Sequence, residues 1–352
     1  MSNLLDIAKE LERQKQRKKD FVIPSEQIKT TYDVGTDKIK VEVGNHGEYD
    51  ITNYCHGQFA DKTKIPKNFY DRLKESHPEL LVKNINELIK EKDKSMIRTL
   101  DGNARALLSN GYRIIDNHDI LMNSLNRFNH LNKDKDMQIG VDRSDITETR
   151  LYVKATSEKL VDTIFPNKEK KEGDGVRGGI VIRNSELGHG AFSVSPFMVV
   201  LKCTNGMIAD ESFRKIHLGR KHGVGEVNWS DDTLRLQDKT LWSKVNDMIV
   251  QTFNPEIFHK WVDKINDVAS EEVEEPIIVV NNVVKNYGLG KDKAESLLKQ
   301  FSKEGFDRWG LMNSVTAVAQ SEMNYENQIE MEKLGNKLLT VPLKELQRKT
   351  ED

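Results

Sequence analysis

Cations at alternate positions are the residues of this chain best placed to do chemistry. In Arg150-Leu151-Tyr152-Val153-Lys154-Ala155, charged or aromatic residues alternate strictly with apolar ones. Residues two apart on a strand share a face, so Arg150, Tyr152 and Lys154 point one way and Leu151, Val153 and Ala155 the other. Arg183 closes a second alternating run, Ile180-Val181-Ile182-Arg183. A row of cation, aromatic and cation can hold a phosphate backbone while a base stacks on the ring. The same spacing also describes the solvent face of an ordinary half-buried strand. A second concentration of positive charge follows, with Arg214, Lys215, His217, Arg220, Lys221 and His222 offset only by Asp210 and Glu211. Arg98, Arg105 and Arg113 form a third set, open to a convergent guanidinium site. All three sets predict an anionic partner, and single-stranded nucleic acid fits them best.

Other chemistries find less support. Cys203, His189, His217 and His222 lie close in sequence, and Cys55-His56 is a second thiol–imidazole pair, but neither set has zinc-ligand spacing. No metal site and no cofactor are expected. A Cys203–His217 nucleophile lacks an evident third orienting group, and Cys203 reads as a small core residue. Asp116, Asp119, Asp142 and Asp145 are carboxylates that a two-metal nuclease would want; Asp116 and Asp119 are also explained by a turn and a helix cap. The glycine- and lysine-rich stretch 167–179 lacks phosphate-loop spacing and reads as a loop over the sheet. GxSxG and HExxH are absent.

The elements that must position these residues follow from periodicity and turn chemistry. A helix stripe from Leu4 to Leu11 precedes a basic run, and Lys38–Val43 alternates as a strand. Three helices follow, capped near Asp50 or Thr52 and begun at Pro66 and Pro78. Asp101-Gly102 and Asn110-Gly111 are turn dipeptides, and Asn205-Gly206 predicts a hairpin after the apolar run Phe197–Leu201. Beyond Thr240 the stripe is helical, with Trp242 and Trp261 as core anchors. The acidic run Glu271–Pro276 reads as a linker. The helix Trp309–Gln320 carries no Arg or Lys and so is no DNA-reading helix.

Several segments in fixed order carry a resemblance. They are His56-Gly57-Gln58-Phe59-Ala60, Ile65-Pro66-Lys67-Asn68-Phe69-Tyr70, Arg98 to Asn117, Cys203-Thr204-Asn205-Gly206, His217-Leu218-Gly219, and Trp309-Gly310-Leu311-Met312-Asn313-Ser314-Val315-Thr316. Across roughly Phe21 to Leu339 the chain resembles domain-of-unknown-function family nine-three-two, borne by phages and plasmids. The resemblance implies a mobile-element origin and supplies no catalytic residues. A more distant, fold-level likeness is to single-strand annealing proteins.

With 352 residues, 31% of them charged, and a net charge of -2, the chain can bury a sizeable core and is no general polycation. Two cysteines fit a reducing cytoplasm. No apolar run approaches the ~20 residues of a membrane span. The expected fold is α+β, with a central antiparallel sheet between helical N-terminal and C-terminal parts. Its expected division is a basic helix over 1–20, a core over 21–270, a helical subdomain over 277–340 and a polar tail over 341–352. The expected function is single-stranded nucleic-acid binding in phage or plasmid replication or recombination, with strand annealing as one form of it. Two alternatives stay open: a module that targets a host protein, and a nucleic-acid-processing enzyme. An exposed sheet edge would also allow a homo-oligomer.

Overall fold

The computed structural model describes residues 4–91, 94–166, 173–190, 192–203, 205–209, 213–216, 231–322 and 324–348; for 91, 213–216 and 231–238 it describes the backbone alone. Helix α1 (Leu4–Arg17) leads into a six-stranded sheet built from β1 (Lys19–Pro24), β2 (Ile28–Asp33), β3 (Lys38–Val43), β4 (Glu48–Ile51), β5 (Lys94–Leu100) and β6 (Asn103–Ser109). Its order is β1-β5-β6-β4-β3-β2, antiparallel except where β4 meets β6. Helices α2 (Asn53–Thr63), α3 (Lys67–Ser76) and α4 (Pro78–Leu88) cover one face, closing a core of Val41, Val43, Phe59, Tyr70, Leu81 and Ile97.

Helix α5 (Asn117–Lys135) connects this unit to a second sheet made of β7 (Ile139–Ile146), β8 (Leu151–Ile164), β9 (Asp174–Asn184), β10 (Phe192–Val200) and β11 (Gly206–Ile208). Strand β12 (Phe213–Ile216) pairs with β10 at the same edge as β11. Then come α6 (Asp231–Thr252), α7 (Pro255–Ala269), α8 (Pro276–Asn286), α9 (Asp292–Glu304), α10 (Arg308–Gln320), α11 (Tyr325–Thr340) and the short α12 (Leu343–Leu346). No helix of the described residues is long and apolar enough to cross a membrane. The fold is α+β, with its strands divided between two sheets rather than gathered into one.

Local signals place most boundaries. Thr52 caps α2 by accepting from the Cys55 amide, and Asp307 and Asn324 cap α10 and α11 in the same way. Asp101 (φ 51°) and Gly102 (φ 80°) make the two-residue turn between β5 and β6, the left-handed pair such a hairpin requires. Asn205-Gly206 behaves differently from expectation. Gly206 already pairs with Val199 as the first residue of β11, so the chain reverses between Val200 and Asn205. Residues 174–179, expected in a loop, belong to β9, and 167–172 lie outside the described residues. Trp242 and Trp261 only pack against the core, whereas Trp309 is buried within it.

Helix α10 is buried almost all round, its polar Asn313, Ser314 and Thr316 included. Its Trp309 and Met312 join the core beneath the second sheet, and its Leu311 and Val315 face α8 and α9. A helix buried on every side needs close neighbours. At Gly335 of α11 an added Cβ would lie 2.6 Å from the Thr316 methyl, so glycine there sets how near α10 and α11 approach. The acidic linker is anchored too, since Glu271 pairs with Arg308 at 2.8 Å.

The two sheets are joined by buried charge. Arg98 is 2% exposed. Its guanidinium donates to both oxygens of Asp20 (2.8 and 3.0 Å), to Asp116 (3.0 Å) and to the Glu186 carbonyl (2.8 Å). The Glu186 carboxylate meets Lys18 at 3.2 Å, Arg105 at 3.5 Å and the Asn117 amide at 2.8 Å. Arg98 and Arg105 therefore converge on one glutamate between the sheets instead of opening to a ligand. Arg113, close to both in sequence, is half-buried. Removing one partner from a buried, hydrogen-bonded charge leaves the others uncompensated. Arg98→Met is expected to lower the unfolding free energy by about 3–5 kcal/mol in urea titrations.

Candidate functional site

The second sheet has two unlike faces. Leu151, Val153, Ile180, Ile182, Val194 and Met198 form the apolar one, packed in a single core with residues of α5, α6 and α7. The register sets Tyr152 opposite Arg183, Lys154 opposite Val181, and Arg143 opposite Lys154. Arg143, Arg150, Lys154, Arg177 and Arg183 thus share the other face, which is the convergence of cations that alternation along each strand implies.

That face is not open to solvent, contrary to the expectation for the Arg150-Tyr152-Lys154 row. Helix α11 lies across it. Tyr152 is fully buried, with the Tyr325 ring edge-on at 4.6 Å. Ile329 completes the seam with Val181, Phe197 and Ile208. Tyr152 therefore has no free face for a base. Burial pushes its phenol up to about 12.

The cations of this face are matched one by one. Lys154 holds both oxygens of Glu332 at 2.7 and 2.6 Å, and the glutamate is fully buried. Arg150 meets Glu326 at 3.4 Å and donates to the His189 carbonyl at 2.7 Å. Arg183 meets Glu330 at 3.5 Å and donates to Ser193 at 3.1 Å. Arg143 donates to Gln328 at 2.9 Å and stands 4.2 Å from the Tyr325 ring centre. Arg177 pairs with Glu158 of its own sheet at 2.6 Å. Burial holds the Lys154 ammonium below its ordinary value and the Glu332 carboxyl above its own, with mutual attraction opposing both shifts.

The pairs loosen toward the edge. Glu332 is enclosed, but the Glu330 side chain is 62% exposed and its contact with Arg183 is long. Lys333 joins this rim from α11. Burial lowers its pKa, and the positive charges of Arg183 and Arg150 lower it further, while Glu330 opposes them. On the outer side of α11, Lys333 also lines an open groove of about 480 Å³ with Lys337, Lys293 and Tyr287. Lys337 stands 4.8 Å from the Tyr287 ring centre, and Lys293 pairs with Glu322 at 2.6 Å. Tyr287 is half-buried, packed against the helical core at the edge of this groove. The sequence offered one signal for this groove: Lys333 and Lys337 are four residues apart on a helix, hence on one face.

The other expected residues fall elsewhere. Strand β12 sets the backbone of Arg214 and Lys215 beside β10, where Phe213 pairs with Val194 and Ile216 with Phe192. Their side chains, and all of His217, Arg220, Lys221 and His222, lie outside the described residues. Cys55 is fully buried, which pushes its thiol well up, and partial burial also raises Cys203; both shifts disfavour a thiolate nucleophile. No protein-family model, curated protein or solved structure matches the chain.

Lys154→Met strands the Glu332 charge and is expected to cost about 3–5 kcal/mol. Glu332→Gln, which keeps an acceptor for Gln328, should recover at least about 2 kcal/mol when added to Lys154→Met. Urea unfolding of the four proteins in this cycle measures the coupling; an exposed pair would give under about 1 kcal/mol.

Proposed function

We propose that this protein binds single-stranded nucleic acid along the outer side of α11, and that the work it serves is replication or recombination of a mobile element. One observation carries the reading: Lys293, Lys333, Lys337 and the half-buried Tyr287 line a single open groove, and Lys333 links it to the arginine rim. Like charges held this close, with carboxylates as partial compensation, favour an added anion. A phosphate reaching Arg183 competes with an exposed Glu330 at 3.5 Å, whereas at Lys154 it would have to displace an enclosed carboxylate. The rim and groove are therefore the accessible part of the cationic surface.

Tyr287 takes the stacking role first read into Tyr152. Aromatic stacking of this kind contributes about 1–3 kcal/mol per base. The groove's lysines would hold the backbone as point charges without reading sequence. Binding should then be tolerant of sequence and sensitive to salt.

Fluorescence anisotropy with labelled oligothymidylate and oligouridylate tests this. Neutralising three phosphates predicts a slope of log K on log salt near −2, since single strands give about −0.7 per contact. Lys333→Ala with Lys337→Ala should flatten that slope by about 1.4. Tyr287→Ala should weaken binding about tenfold at every salt concentration. Absence of binding at micromolar protein in low salt, or binding indifferent to these substitutions, overturns the proposal.

A further inference from the structure

We propose that the open-fronted cavity between the cationic face of the second sheet and helices α10 and α11 receives a single nucleobase. Its volume is about 270 Å³. That lies just under the ~300–1,000 Å³ typical of drug-sized ligands, so one ring system suits it. The floor is apolar, formed by Phe197 and Val199 of β10 and by Leu201 just beyond it. The polar lining holds three cations, Arg143, Lys154 and Arg177, and two carboxylates, Asp142 and Glu332. A simple anion there meets two carboxylates, and a simple cation meets three positive charges. The mixture instead suits a neutral planar molecule with donors next to acceptors on its edge.

The lining divides into a braced back and an open front. At the back, Arg143 donates to Gln328 at 2.9 Å, Gln328 to Glu332 at 3.2 Å, and Lys154 takes both Glu332 oxygens. Those groups are committed to one another and fix the cavity's shape. At the front, Asp142 is exposed, accepts from the Thr156 hydroxyl at 3.0 Å, and makes no ion pair among the described residues. Arg177 stands beside it, paired with Glu158, its Nε buried and without a hydrogen-bond partner among the described residues. A carboxylate and a guanidinium side by side match the base edges that such groups read elsewhere, the carboxylate accepting N–H and the guanidinium donating to a carbonyl or ring nitrogen. Guanine fits best, because it offers adjacent N–H groups to Asp142 and a carbonyl to the guanidinium. Its ring face would lie on Phe197 and Val199.

The base can belong to a free nucleoside or to a bound strand. Gln328 and Glu332 face this cavity while Glu330 and Lys333 face the lysine groove, so the two sites lie on opposite sides of α11. The inference therefore does not rest on strand binding in that groove.

Calorimetry on the full chain with guanosine, adenosine, cytidine and uridine tests the free-base form. Anisotropy with oligothymidylate carrying one central guanine, against the all-thymine strand, tests the strand form. Guanosine, or the guanine-bearing strand, should bind about tenfold tighter than its comparator, and Asp142→Asn should abolish that preference. Unchanged melting of Asp142→Asn certifies the fold, and Lys333→Ala with Lys337→Ala should leave guanosine binding intact. A preference confined to the strand assigns the pocket to a strand's base. No binding by any nucleoside together with no guanine preference in the strand overturns the proposal. So does a guanine preference that Asp142→Asn leaves in place.

Discussion

The ion pair of Lys154 with Glu332 fixes how the second half of this molecule is assembled. Two opposite charges removed from water are tolerated only when each satisfies the other and the remaining donors and acceptors are met. Here Lys154 takes both carboxylate oxygens, and Gln328 and Gln320 approach Oε1 at 3.2 and 3.5 Å. The geometry admits one rotation and one register of α11 on the sheet. Around that point Tyr325 and Ile329 pack on Tyr152 and Val181, and Glu326 and Glu330 fall opposite Arg150 and Arg183. Hydrophobic contact supplies area, which is roughly indifferent to a helix's direction. Charge pairing supplies the register.

This constraint also divides the cations by availability. Those at the centre are structural, because their partners are enclosed and a ligand would have to replace a buried carboxylate. At the rim Arg183 has only a long contact with the solvent-exposed Glu330, and exposed pairs of that kind are worth little. The same helix that closes the centre carries Lys333 and Lys337 on its outer side, next to Tyr287. Covering the sheet thus leaves the cations that line an open groove on the outer side of α11 rather than on the sheet itself. It also leaves, between helix and sheet, a cavity lined by charges of both signs.

What the sequence disclosed, and what it hid, follows from the range of each interaction. Thr52, Pro66, Pro78 and the Asp101-Gly102 turn act within four residues of themselves, so their elements were legible. The side-chain alternation of Arg150, Tyr152 and Lys154 was legible for the same reason, and these residues do share a face with Arg183. Whether that face meets water or a helix was not legible, because a polar strand face reads identically in both cases. The answer lies in Glu326, Glu330 and Glu332, about 180 positions downstream of Lys154. Nothing local marks those acids as partners of the sheet. Arg98 shows the same limit: its partners Asp20, Asp116 and Glu186 are scattered along the chain, so a buried junction resembled a basic patch.

Chemical access to the middle of the sheet's cationic face tests this account most directly. Val181 lies there, fully buried under α11. Val181→Cys, placed in a Cys203→Ser background that leaves only the buried Cys55, reports whether the face is covered. Maleimide labelling of that cysteine under native conditions should run at least on the order of a thousandfold slower than labelling of Lys159→Cys on the exposed part of β8. Labelling within about tenfold of that control would show the face open to solvent and contradict the account.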